Sequence, residues 1–184
     1  MSQVSVIFHS GYGHTKKVAE IIAEGANAKL IEVSSEGEIT DDDWQTLADS
    51  DAIIFGTPTY MGGPSWQFKK FADTSSKVWF NSGWGDKLFG GFSVSGSLNG
   101  DKQITLTYLQ TLAAQHGGLW VSLGMLPANT STSTREDINN LGGSAGVLVQ
   151  APTDAGAEAI PKGDLNTAKA YGERVAKLAS KWAK

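Results

Sequence analysis

Apolar residues in this chain come in short bursts that alternate between two periods. Val4, Val6, Ile7 and Phe8 form a β-branched and aromatic run bounded by turn residues, the mark of a strand buried in a parallel sheet. From His14 the period changes: Val18, Ile21 and Ile22 recur at helical spacing beside Lys16, Lys17 and Glu20. Between the two lies Ser10-Gly11-Tyr12-Gly13, so the chain opens as strand, tight turn, helix. Such a turn points the free N–H groups of the helix's first turn, and the positive end of its dipole, out of the carboxyl edge of the sheet. Ser10 and Thr15 add hydroxyl donors, and two glycines let the backbone curl around a small, highly charged group such as a terminal phosphate.

The alternation continues. Lys29 to Val33 is a short apolar run, and Thr40 can cap a helix through Leu47. Asp51 to Gly56 reads as a second buried strand, followed by the loop Thr57 to Pro64 and a helix from about Ser65 towards Lys77, with Trp66, Phe68 and Phe71 on its apolar side. Lys87 to Ser95 is a third strand, leading through Gly96-Ser97-Leu98-Asn99-Gly100 into a helix over Asp101 to Gln115. Leu119 to Leu123 is expected to form the last strand, and Asp164 to Trp182 a long amphipathic helix. Strands alternating with helices predict a doubly wound α/β sheet with right-handed crossovers. In such sheets ligands sit beyond the carboxyl ends of the strands, where strand order reverses. Three of these ends are rich in Gly, Ser, Thr and Pro: Ser10 to Thr15, Pro58 to Gly63 and Val94 to Asn99. Their convergence predicts one pocket.

Composition narrows the chemistry. A chain of 184 residues is expected to form a single domain with a substantial core. It has no cysteine, which removes disulfides, thiol catalysis and thiolate metal sites. The net charge of -4 argues against a dedicated nucleic-acid binder. With no leader-like start and no apolar run long enough to span a membrane, a cytoplasmic location is expected.

The ligand follows by elimination. A dinucleotide fingerprint needs a glycine where Lys16 stands, and Glu32, the available ribose partner, is expected to lie inside its strand rather than at its end. A triphosphate loop fails because no Gly-Lys-Ser/Thr follows Gly11. Gly142-Gly143-Ser144-Ala145-Gly146 matches the hydrolase pattern Gly-x-Ser-x-Gly, but polar residues precede it and an extended run, Val147 to Val149, follows it. Three histidines without cysteine give little support for zinc. What remains is a monophosphate held by amides and hydroxyls with a flat aromatic body across the other two loops, which describes flavin mononucleotide (FMN).

Six segments carry a resemblance in order and with compatible spacing: S-G-Y-G-H-T, G-T-P-T-Y-M-G-G with Q-F-K-K-F-A-D beyond it, V-W at 78 and 79, S-V-S-G-S, T-L-A-A-Q-H-G-G and L-G-G-S-A-G. Together they resemble the WrbA-type branch of the flavodoxin-like superfamily, FMN-dependent NAD(P)H:quinone oxidoreductases. The resemblance implies a five-stranded parallel sheet of order 2-1-3-4-5 with helices on both faces. It puts the phosphate loop on Ser10, Gly11, Tyr12, Gly13, His14 and Thr15, the ring-edge loop on Pro58, Thr59, Tyr60, Met61 and Gly62, and the third loop on Val94, Ser95, Gly96, Ser97, Leu98 and Asn99. His116 is implied as the active-site histidine, also touching the cofactor, and Tyr12 and Trp79 as substrate-side residues. NADH or NADPH as reductant, a small-molecule quinone as acceptor, a ping-pong exchange and a homodimer or homotetramer complete what it implies. A flavodoxin that shuttles electrons between proteins is the alternative, as is an interaction protein that holds FMN without turnover. The chain departs from the family pattern at Tyr60, where an arginine is usual, at Leu98 and Asn99, where glycines are usual, and in a short segment between the second strand and second helix.

Overall fold

The computed structural model describes residues 2–182. Its centre is β1 (Val4–Phe8) and β3 (Ala52–Tyr60), both buried along nearly their whole length because helices cover the sheet on each side. β2 (Lys29–Glu32) pairs outside β1, and β5 (Leu88–Ser95) pairs on the far side of β3, all parallel. With β6 (Leu119–Trp120) at the far edge, the strand order is β2-β1-β3-β5-β6, which reverses direction between β1 and β3 as the expected order 2-1-3-4-5 requires.

The fifth position departs from expectation in an instructive way. Instead of one strand over Leu119 to Leu123, two short strands share the free side of β5. β6 (Leu119–Trp120) pairs with Leu88 and Phe89, and β7 (Val147–Gln150) continues the line against Phe92 to Ser95. The chain leaves the sheet after Trp120, although Val121 N still donates to Phe89 O, and returns at Val147. Asn139 anchors the excursion, its amide donating to the Met125 and Gly143 carbonyls while Thr167 Oγ1 accepts its N–H. Ser144 lies at the end of this loop with a strand, not a helix, after it, so the hydrolase pattern has no nucleophile elbow.

β3 also runs past its expected end. Thr57 and Pro58 stay in register with Ser93 and Val94, and the strand then folds back through an antiparallel two-residue hairpin onto β4 (Gly63–Pro64). Met61 and Gly62 form its tip with φ of 47° and 79°, the positive pair that a type I′ turn demands.

One face of the sheet is covered by α1 (His14–Ala26) and α6 (Lys162–Trp182), whose small and branched residues meet Val6, Ile54 and Phe92. The other carries α2 (Asp41–Asp49), α3 (Trp66–Thr74), α4 (Ser76–Trp79) and α5 (Lys102–Gln115). Its core is aromatic: Phe55 stacks on Phe89 at 5.2 Å, Trp44 on Phe71 at 5.4 Å and on Trp84 at 6.1 Å. Thr40 caps α2 in a full capping box with Asp43. The helix expected from Ser65 to Lys77 breaks at Ser75, whose hydroxyl turns back to the Ala72 carbonyl. No helix among the described residues is long and apolar enough to cross a membrane.

Candidate functional site

The three predicted loops meet at the carboxyl edge of the sheet, around a cavity of about 420 Å³. Tyr12, His14 and Thr15 from the first loop, Pro58, Thr59 and Tyr60 from the second, and Val94, Ser95 and Gly96 from the third line it. Ala151 and Thr153, just after β7, complete the wall. Neither residue is signalled in the sequence, where Val147 to Val149 shows only as an extended run.

The first loop is tied together by Ser10 and leaves backbone donors unspent. Ser10 Oγ turns inward and accepts the N–H groups of Gly13 and Lys16, each at 3.1 Å. Gly13 sits at φ 88°, where a side chain is strained, and no atom lies within 4 Å of the position its Cβ would take. Among the described residues the N–H groups of His14 and Thr15, the first two of α1, find no acceptor. Lys16 is occupied elsewhere, paired at 2.8 Å with Glu32. Glu32 closes β2 rather than lying inside it as expected, but the lysine holds its carboxylate. His14 Nε2 donates to Ala155 O at 2.8 Å and fastens the loop to the segment after β7. Ser10 and Gly11 face a neighbouring polar cleft shared with His9, Ser34 and Gln67.

The second wall rests on hydroxyls. Ser93 Oγ donates to Thr57 O at 2.8 Å, which leaves it to accept from Thr59, and Thr59 in turn accepts from Thr105, both at 2.8 Å. The buried Thr59 hydroxyl is thus spent inward, and this wall offers its ligand backbone groups and the Tyr60 ring. Tyr60 meets Tyr12 edge to face at 6.3 Å, flanking the mouth of the cavity, with Met61 fully exposed beyond them. Burial raises the Tyr60 phenol above its ordinary value, so it stays protonated at neutral pH.

The third loop lines the cavity with Val94, Ser95 and Gly96, while Ser97, Leu98 and Asn99 lie exposed beyond the lining, and the loop is held from below by Lys102. This side chain is fully buried, and its ammonium donates to Ser95 Oγ, Ser97 O and Leu98 O at 2.9, 2.8 and 3.0 Å. Desolvation pulls its pKa from 10.5 down to about 8, with Arg135 adding to the fall and Asp164 and Asp101 opposing it. The unfolded chain therefore binds more protons than the folded one between about pH 8 and 10.5, and stability is expected to rise with pH across that window. Urea titrations of wild type and Lys102→Met at a series of pH values check this; the rise should be smaller in the variant, where half-buried Lys87, also lowered by burial, still contributes. Nothing in the sequence singles out Lys102 except its opposition to the helix dipole, since a lysine in a helix's first turn passes for a solvated residue.

His116 and Trp79 do not join this cavity within one chain. α5 starts beside the third loop and runs to the opposite edge of the sheet, so His116 at its end lies about 16 Å along the helix axis from Thr105. The two residues line a second cleft of about 310 Å³ with Ser75, Tyr108 and Leu112. Ser75 Oγ donates to Ala72 O and accepts from His116 Nε2 at 2.9 Å, leaving the buried Nδ1 without a partner among the described residues. Burial holds the imidazole below its ordinary pKa, hence neutral. No group of three potential metal ligands occurs among the described residues.

Comparison with known proteins agrees with this architecture. A family model described as NADPH-dependent FMN reductase matches residues 8–132. The chain is 60% identical over 178 residues to flavodoxin FldP of Pseudomonas aeruginosa, covering 97% of each. It is 29% identical over 204 aligned positions to an NAD(P)H dehydrogenase (quinone) of Chromohalobacter salexigens, covering 100% of each. The crystal structure of a WrbA-like flavodoxin from Agrobacterium tumefaciens superposes with a TM-score of 0.83 at 51% identity, covering 98% of this chain and 99% of that one. An archaeal flavodoxin at 17% identity and a TM-score of 0.63 shares the fold. With the Ser10–Thr15 turn, the Tyr60 hairpin and the third loop converging on one cavity, the chain belongs to the NADPH-dependent FMN reductase family of flavodoxin-like proteins.

Proposed function

We propose that the cavity binds FMN, with its phosphate on the Ser10–Thr15 turn and its ring between the Tyr60 hairpin and the Ser95–Asn99 loop, and that the protein passes two electrons from NAD(P)H to a quinone. The observation that carries the reading is the Ser10–Thr15 turn: partnerless amides at the start of α1 and a left-handed Gly13 with open space beside it, while Lys16 is paired with Glu32. Bound FMN supplies a ring that accepts a hydride from a nicotinamide and returns two electrons to an acceptor. The protein's residues position and shield. The buried hydroxyl relay through Thr105, Thr59 and Ser93 backs the cavity wall at Thr59, and we assign reductant and acceptor to the one mouth flanked by Tyr12 and Tyr60. A shared mouth supports exchange in turn, the ping-pong order. Tyr12 and Tyr60 offer faces for flat rings, whereas His116 contributes nothing to the cavity of its own chain. The exposed Trp79 and Phe80 beside the second cleft are the surface we assign to contact between subunits of a homodimer or homotetramer. A reductant of the cytoplasm fits the expected location.

The 60% identity to a flavodoxin favours a second reading, a carrier that exchanges single electrons with protein partners. Alignment to the quinone dehydrogenase spans 204 positions against 184 residues here, so segments present in that enzyme are missing. Anaerobic stopped-flow mixing of the FMN-loaded protein with NADH and then NADPH separates the two. Rapid bleaching of the flavin absorbance by either nucleotide, reversed by benzoquinone, is the expected result. Flavin that stays oxidised with both overturns the quinone-reductase reading in favour of the carrier.

A further inference from the structure

Every carbonyl of the Ser95–Asn99 loop is claimed from the protein side. Ser95 O accepts from Ala151 N at 3.0 Å, Gly96 O from Gln150 Nε2 at 2.8 Å, Ser97 O and Leu98 O from Lys102 Nζ, and Asn99 O from Lys102 N at 3.4 Å. The amides are in the opposite position: among the described residues the N–H groups of Ser97, Leu98 and Asn99 find no acceptor. In a trans peptide the C=O and N–H point in opposite directions, so drawing the Ser97 and Leu98 carbonyls onto the ammonium turns the N–H groups of Leu98 and Asn99 away from it, to the open side of the loop. A lysine buried in the first turn of a helix is unfavourable twice over, through desolvation and through the dipole. Left-handed Gly100 and Asp101, φ 52° and 53°, are what fold the loop back onto it.

We infer that Lys102 is a positioning residue of the cofactor cleft: it aims the amides of Leu98 and Asn99 at the acceptor edge of a bound flavin ring, and its buried charge makes that ring easier to reduce. The inference rests on the FMN reading above. A flavin's pyrimidine edge carries carbonyl and ring-nitrogen acceptors whose negative charge grows when the ring takes up electrons. Donors backed by a cation therefore hold the reduced form more tightly than the oxidised form. The charged groups around the ammonium are Asp164 on α6, Arg135 on the loop before β7, and Asp101. Asp164 Oδ2 is itself bound by Arg135 at 2.7 Å and by Gln150 N at 2.9 Å, which leaves Lys102 as the cation placed directly under the loop.

The test compares wild type with Lys102→Met and Lys102→Gln as FMN-loaded proteins. FMN affinity is measured by flavin fluorescence, and the midpoint potential by titration against a reference dye. Lys102→Met, which removes donors and charge, should weaken oxidised FMN about tenfold. Lys102→Gln keeps donors for the loop carbonyls and should stay within about threefold of wild type. In both, loss of the charge should lower the midpoint potential, so that the ratio of reduced to oxidised FMN dissociation constants rises about tenfold. Variants that fold and bind FMN with an unchanged ratio overturn the inference, because a merely structural lysine would alter affinity or melting temperature without altering the potential. If Lys102→Met does not fold, the ratio for Lys102→Gln decides. A wild-type chain that does not retain FMN overturns the earlier reading and this one with it.

Discussion

Gly172→Ala is expected to lower stability by about 3 kcal/mol or more, because the added methyl has nowhere to go. α1 and α6 cross so closely that a Cβ at 172 would sit 2.2 Å from Ile22 O and 3.0 Å from Ala26 N. A Cβ at Gly25 would reciprocally meet Lys169 O at 2.3 Å. These obstacles are helix backbone, so no change of rotamer relieves them; the two helices must separate. Separation loosens Val18, Ile22, Tyr171 and Val175, all fully buried, and pulls the Tyr171 hydroxyl from its bond to Val121 O at 2.6 Å. The loss is a large share of the 5–15 kcal/mol that about holds a domain folded. Equilibrium urea unfolding measures it. Gly13→Ala serves as control: nothing lies within 4 Å of its Cβ position, so only the left-handed backbone opposes the methyl, at about 1–2 kcal/mol. Equal losses in the two variants would show that helix contact is not what selects Gly172.

The alternation of apolar periods carried most of this architecture. Val4–Phe8, Leu88–Ser95 and the two face-covering helices α1 and α6 stand close to where their patterns put them, because a strand buried on both faces and a long amphipathic helix each leave a signature within a dozen residues. What failed was non-local. Val147–Gln150 earns its place from pairing with Phe92 to Ser95, far away in sequence, and nothing inside Leu119–Leu123 says that the sheet will exchange one segment for another halfway along. Pro58 masked the continuation of β3, since proline normally argues against a central strand. At the site, turn chemistry pointed to the Ser10–Thr15 turn at the start of α1, whereas the loop read over Thr57 to Pro64 is a hairpin with Met61 and Gly62 at its tip. The partners of Lys102 did not show, because its role depends on a loop folding back over the helix that it begins. The resemblance alone groups His116 and Trp79 with the cofactor; the direction of α5 takes His116 to the other edge of the sheet, where Trp79 at the end of α4 lines the same second cleft.

Ser10→Ala is expected to raise the dissociation constant of FMN about thirtyfold while leaving riboflavin within about threefold of wild type. The difference isolates the phosphate. Ser10 Oγ accepts two loop amides, Gly13 N and Lys16 N, which leaves its O–H free to donate outward to an anion. Alanine removes that donor and releases the two amides that shape the turn. A hydrogen bond to a charged group contributes about 1.5–3 kcal/mol, and 2 kcal/mol is about thirtyfold. Riboflavin has the same ring and ribityl chain but no phosphate, so it loses nothing at this position. Because Lys16 is paired with Glu32, the cradle holds its anion by amides, hydroxyls and the helix terminus, and added salt should weaken FMN only slightly. Titration of apoprotein with each flavin, followed by quenching of flavin fluorescence, gives both constants. Parallel weakening of FMN and riboflavin would assign Ser10 to the shape of the whole cleft, and no change in either would move the phosphate off this turn.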